Sequence, residues 1–307
     1  MNHHTRQGGD LARRRRTMAL GAALSSCALV AGVGTSVPAS AGERHSPRPV
    51  DYVALGDSYT SGPLIPRQVD ANCARSDHDY PSLVATRYKV ASFADVSCSG
   101  AKTDEMWKAQ GTNGPQLDAL NRNTDLVTLQ IGGNDMGFGP IISTCAALSS
   151  EDLSGDPCRQ HYASSGVDRL TLSILETAPK VARVLRAVHE RAPHARVVVV
   201  GYPALLPDDG SGCYPSVPFA AKDFPYLRDT GKRLNRMLRL VAWLNRAEFV
   251  DTYGPFVGHD MCKAPADRWI EPLRPSAPAA PVHPNAKGME TMASAVLERL
   301  GKRAGHR

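Results

Sequence analysis

Short apolar runs punctuate the chain at regular intervals. Residues 52–56 (Tyr-Val-Ala-Leu-Gly), 126–131 (Leu-Val-Thr-Leu-Gln-Ile), 196–201 (Arg-Val-Val-Val-Val-Gly) and 248–253 (Glu-Phe-Val-Asp-Thr-Tyr) are the clearest, and 89–96 is a weaker fifth. None of the clear runs has the strict polar alternation of a sheet with one wet face. Continuous apolar runs bounded by glycine predict strands buried on both faces. Between them the apolar period lengthens. Residues 167–191 carry Leu170, Leu172, Ile174, Leu175, Val181, Val184, Leu185 and Val188, approximately a helical stripe. Leu227, Leu234, Leu238, Val241 and Leu244 repeat the spacing over 223–245, and a last helix is predicted over 285–300 with Asn285 as its N-cap. Strands alternating with helices build a parallel sheet covered on both sides. The expectation is one α/β domain, a parallel sheet between two layers of helices, with no internal repeat.

Two connections, 139–166 and 203–221, read as long loops rich in Gly, Pro and Ser, and both contain cysteine. Long loops in compact domains are usually functional or stapled. The stretch 272–284 is proline-rich but short.

The first residues follow a different pattern. Arg13 to Arg16 form a cationic cluster, Met18 to Val33 are mostly small and apolar, and Ala39-Ser40-Ala41 fits a cleavage site. Such a segment is a secretory signal, so residues 1–41 are expected to be removed near Ala41, leaving 42–307 as one secreted domain. Leu24-Ser25-Ser26-Cys27 also fits a lipoprotein box, but the apolar run continues past Cys27 to the later site. The arginine cluster suits either Sec or twin-arginine export. No later segment is long enough to span a bilayer.

Charge and cysteine content then narrow the function. The net charge of +6 falls to +2 without the first 41 residues, which leave 31 basic against 29 acidic side chains. A nucleic-acid binder keeps a basic footprint in its folded part, so that class is excluded. Seven basic residues against Asp223 and Asp229 over 222–246 suit either an anionic surface or an ordinary solvated helix face. Cys73, Cys98, Cys145, Cys158, Cys213 and Cys262 make an even set in an exported chain, which argues for three disulfides. Six cysteines pair in many ways, and the simplest is sequential: Cys73–Cys98, Cys145–Cys158 and Cys213–Cys262. With neither Cys-x-x-Cys nor His-Glu-x-x-His, no metal or other cofactor is expected.

Ligands of open parallel sheets sit at the carboxyl ends of the strands. Gly56-Asp57-Ser58-Tyr59, Ser97-Cys98-Ser99-Gly100-Ala101-Lys102-Thr103 and Gly132-Gly133-Asn134-Asp135 each follow a predicted strand, and Val282-His283-Pro284-Asn285 precedes the last helix. Each block alone has an ordinary explanation. Ser58 could cap a helix, Asn134 could hold a turn, Gly100 could serve backbone geometry, and His283 could be any loop histidine. In this order, with strand-then-loop context, the set resembles the SGNH (GDSL-type) hydrolases, most closely their secreted actinomycete lipases and esterases. The resemblance spans nearly all of residues 42–307, including six cysteines placed like that subgroup's three bridges.

The resemblance implies a three-layer α/β/α sandwich of flavodoxin-like layering and ester hydrolysis with Ser58 as nucleophile and His283 as base; a monomer is expected. The backbone N–H groups of Ser58 and Gly100 and the Asn134 amide would form the oxyanion hole. Lipid esters are the implied substrates. Two departures stand out. The family's usual leucine after the serine is Tyr59 here, a change expected to affect packing rather than mechanism. Its usual aspartate three residues before the histidine is Ala280, so the Ala280 main-chain carbonyl is expected to orient His283 within a Ser–His dyad. A carboxylate from elsewhere, Asp251 or Asp57, is the alternative. No Gly-x-Ser-x-Gly elbow occurs, against an α/β-hydrolase lipase. The rival readings are a carbohydrate acetyl esterase with the same four residues and a non-catalytic cell-surface binding protein.

Overall fold

The computed structural model describes residues 48–164 and 166–302; the proposed signal and its cleavage site lie outside them. The strands are β1 (Val50–Gly56), β2 (Gln68–Asp70), β3 (Arg75–Ser76), β4 (Val90–Asp95), β5 (Leu126–Gln130), β6 (Arg196–Val200) and β7 (Glu248–Val250). The helices are α1 (Ser58–Ser61), α2 (Tyr80–Arg87), α3 (Phe138–Ser149), α4 (Pro157–Ala163), α5 (Arg169–Arg191), α6 (Asp223–Leu244) and α7 (Ala286–Gly301).

Five strands form one parallel sheet in the order β4-β1-β5-β6-β7, and β2 and β3 make a small hairpin apart from it. Helix α2 packs with α7, and α5 packs with α6. Leu55, Leu129 and Val198, one from each central strand, are fully buried. Truncating such a leucine to alanine costs roughly 2–5 kcal/mol. Chain progression reverses direction at β1, which pairs with β4 on one side and β5 on the other. A sheet of this order opens a crevice at that switch point, beyond the carboxyl ends of its strands.

The helices form where local chemistry supports them. Asp168 caps α5 by accepting the Leu170 and Thr171 N–H groups, and Asn285 caps α7 by accepting the Gly288 N–H. Ile174, Val181, Val184 and Val188 of α5 are buried, but Leu172 and Leu175 are not; Leu175 is 60% exposed. With 3.6 residues per turn these two point away from the others. Leu244 likewise turns outward at the end of α6.

Of the two segments read as loops, the first contains α3 and α4, joined by Cys145–Cys158. The second is irregular and is tied by Cys213–Cys262, while Cys73–Cys98 completes the sequential pairing. The basic α6 face is largely neutralised from within the chain. Arg228, Lys232, Arg233 and Arg239 pair with Asp229, Asp208, Asp168 and Asp251, the pattern of a solvated helix face.

Candidate active site

The turn after β1 admits no alternative to glycine at its start. A Cβ on Gly56 would lie 2.2 Å from Thr60 Oγ1 and 2.8 Å from the Gln130 carbonyl oxygen. The Gln116 side-chain amide grips the same residue from both ends, accepting from its N–H (2.8 Å) and donating to its carbonyl (2.9 Å). Asp57 then caps the one-turn helix α1 through the Tyr59 N–H, and Gly62, at φ +67°, closes it. Ser58 is thereby the first residue of that turn, 7% exposed.

His283 reaches Ser58 from the other end of the chain. Its Nε2 is 2.7 Å from Ser58 Oγ, and its Nδ1 is 2.7 Å from the carbonyl oxygen of Pro281. A carbonyl only accepts, so Nδ1 carries the ring proton and Nε2 accepts from the serine hydroxyl. The orienting carbonyl therefore belongs to Pro281, not to Ala280, whose oxygen accepts the backbone N–H of His283 (3.2 Å). The physical cause is Val282. Its φ of +63° reverses the chain between residues 281 and 283, and so turns the carbonyl two residues back onto the ring. Neither alternative carboxylate hydrogen-bonds the imidazole. Asp251 accepts from the Tyr253 N–H, and Asp57 accepts from Tyr59 N–H and the Tyr202 hydroxyl. Burial holds the His283 pKa below the usual 6.5, opposed by the Pro281 hydrogen bond.

Tyr59 does more than fill space. Its ring lies 4.8 Å from the His283 ring, and its hydroxyl donates to the Val282 carbonyl at 2.6 Å. A β-branched residue at positive φ is a genuine backbone outlier, and this hydrogen bond fastens it.

The other two blocks are laced together. The Asn134 amide donates to the Ala101 carbonyl (2.9 Å), while Asp135 accepts from Thr103 N–H (2.9 Å) and Oγ1 (2.6 Å). An amide has two N–H bonds, so one of Asn134's stays available. Gly100 adopts φ +80° beside Cys98, and the Cys73–Cys98 bridge and the Ser99 N–H to Cys73 carbonyl bond tether this loop. Tyr202 links the first block to the third, donating to Asp57 and accepting the Gly133 N–H (2.9 Å). Burial raises the Asp57 pKa to about 7, with the Tyr202 hydrogen bond resisting.

Sequence reasoning missed Tyr202, Gln116 and Pro281. Tyr202 had a usable signal, since it stands just beyond the carboxyl end of β6, where the other blocks also stand relative to their strands. Gln116 lies in a short 3-10 turn, Gln116–Ala119, with no pattern to mark it.

A pocket of about 850 Å³, its mouth included, opens from Ser58 and Asn134 and continues between apolar side chains such as Ile141, Leu206, Phe219 and Leu234. Among the described residues no cluster of His, Cys, Asp and Glu is arranged to hold a metal, and no helix is long and apolar enough to cross a membrane. The arrangement is a serine hydroxyl bonded to a neutral imidazole, beside an apolar pocket.

Residues 54–291 match the GDSL-like Lipase/Acylhydrolase family. Lipase 2 of Streptomyces coelicolor is 40% identical over 286 residues, 89% of this chain and 96% of that protein. Among solved structures, phospholipase A1 from Streptomyces albidoflavus aligns with a TM-score of 0.69 at 29% identity, over 82% of this chain and 99% of that one. The extracellular lipase of Streptomyces rimosus gives 0.67 at 30% identity, over 81% and 99%. With its parallel sheet and its sequence matched to this depth, the chain belongs to the GDSL (SGNH) lipase/acylhydrolase family and is a carboxylic ester hydrolase.

Proposed function

We propose that this chain is a secreted lipid ester hydrolase working through an acyl-Ser58 intermediate. The observation that carries the reading is the Ser58–His283–Pro281 chain of two 2.7 Å hydrogen bonds at the head of an apolar pocket. Ser58 Oγ attacks the ester carbonyl carbon while His283 Nε2 takes its proton. The carbonyl oxygen becomes an oxyanion, received by the N–H groups of Ser58 and Gly100 and the free N–H of Asn134. Collapse breaks the ester bond, and the imidazolium returns its proton to the departing alkoxide. Water then attacks the acyl-serine, again losing a proton to Nε2; the acyl–Oγ bond breaks, and the imidazolium returns that proton to Ser58 Oγ as the acid leaves. The Pro281 carbonyl fixes the tautomer throughout, in the position a carboxylate usually fills.

The apolar pocket favours fatty acyl esters over polysaccharide acetates, since an acetyl group would leave most of it wet. The lipase and phospholipase relatives point the same way. Export by a signal ending near Ala41 is part of the proposal, supported by three disulfides.

The test is hydrolysis of nitrophenyl esters from two to sixteen carbons by the oxidised protein, with Ser58→Ala as control. Serine-dependent turnover favouring long chains is expected. Turnover confined to acetate would move the enzyme to the carbohydrate esterases, and equal activity in the control would overturn the acyl-serine mechanism.

A further inference from the structure

We infer that Gly231, in the interior of α6, is the position that sets how long an acyl chain the pocket accepts. The inference rests on the lipid-ester reading above and adds a residue with no part in the chemistry. Glycine is among the poorest helix formers, yet Gly231 stands nine residues into a helix of 22. Two physical reasons usually require glycine, and neither holds. Its φ is not positive. Nor does a neighbour crowd it, for a Cβ built there meets nothing within 4 Å. Gly133, the other glycine on the pocket wall, behaves differently, since its Cβ would meet the Tyr202 hydroxyl at 3.0 Å.

What remains is the space. Leu227, Gly231 and Leu234 follow one another at helical spacing and all three line the pocket. Gly231 is thus a notch between two leucines, widening the channel where any other residue would project into it. The wall is not apolar throughout. Arg228 and Tyr253 also line the pocket, with Arg228 bonded to the Asp229 carboxylate (2.9 Å) and the Asp208 carbonyl (3.0 Å). A methylene chain gains little by lying against these groups, so the apolar space that the notch adds bears directly on the accommodated length.

The test compares Gly231→Leu and Gly231→Ala with the wild-type protein. The ratio of kcat/KM on a sixteen-carbon ester to that on a four-carbon ester should fall at least about tenfold in Gly231→Leu, and less in Gly231→Ala. The melting temperature should hold or rise, because both substitutions favour helix. A second readout needs no turnover: binding of a long-chain polyene fatty acid, followed by its fluorescence in the Ser58→Ala background, should weaken on adding Gly231→Leu. An unchanged ratio with unchanged binding would overturn the inference, as would equal loss on both esters at an unchanged melting temperature. If Gly231→Leu fails to fold, an unaltered ratio in folded Gly231→Ala overturns it. If the wild-type protein hydrolyses no ester but binds the fatty acid, and Gly231→Leu abolishes that binding, the pocket inference stands while the proposed reaction falls.

Discussion

At the scale of single residues, the catalytic histidine proposed here is held by main chain rather than by an acid, and Tyr59 is the side chain that keeps that main chain in place. Tyr59→Phe removes only the hydroxyl and leaves the Val282 carbonyl without its partner (2.6 Å). Losing such a buried bond costs roughly 1–3 kcal/mol. Expected is a fall in kcat of about tenfold, with KM nearly constant, and a displaced acid limb in the pH profile; a simple loss of packing would leave that limb where it was. Because burial depresses the His283 pKa below 6.5, the neutral base persists into mildly acidic solution. Initial rates across pH should therefore show a kcat/KM that rises with pH to a plateau, with its midpoint below that value. Asn134→Ala should lower kcat by about 10²–10³ with the fold intact by circular dichroism, the usual cost of one oxyanion donor. Ser58, Gly100, Asn134 and His283 each stood out in the sequence because each stands in a short block beside a strand or helix end, and the structure brings Ser58 and His283 within 2.7 Å. The orienting carbonyl was misplaced by one residue. Only the left-handed Val282 decides between residues 280 and 281, and a valine carries no sequence sign of that conformation.

Among the elements, the sheet and the long pocket helix α6 were easy to read, and α3 on the same pocket was not. Strands β1, β5 and β6 are apolar because both of their faces are covered. Helix α3 was hidden by its own composition. Phe138-Gly139-Pro140-Ile141-Ile142-Ser143-Thr144-Cys145 has the residues of a loop, and its Pro140 falls in the first turn, where no N–H is needed. The bridges divide along the same line. Cys73–Cys98 anchors the loop bearing Gly100, whereas Cys145–Cys158 fastens α3 to α4 on the pocket side. Replacing the first pair by serine should reduce kcat on every ester, because it loosens Gly100, the proposed oxyanion donor. Replacing the second pair should alter chain-length preference more than kcat on short esters. Steady-state kinetics on the two double variants separates these outcomes, and an identical effect would contradict the division.

For the molecule as a whole, the buried acids make stability depend on pH in an unusual direction. Asp57, 1% exposed, titrates near 7 when folded and near 3.8 when unfolded. The unfolded chain thus releases this proton first, and stability drains away as pH rises between those values, by on the order of 4 kcal/mol. Asp79, raised by burial and by the adjacent Asp95, contributes with the same sign. Denaturation by urea should show greater stability near pH 5 than near pH 8. Asp79→Asn, which still caps α2, should narrow the difference by stabilising the protein at the higher pH. The three bridges carry a different consequence. Cys73 pairs with Cys98, Cys145 with Cys158 and Cys213 with Cys262, so no bridge encloses or crosses another. If the proposed secretion runs by the Sec route, the unfolded chain emerges amino end first and presents each cysteine's correct mate before the next pair arrives. Simple oxidation in order of appearance therefore yields the native set, and the protein should mature without an isomerase to correct it.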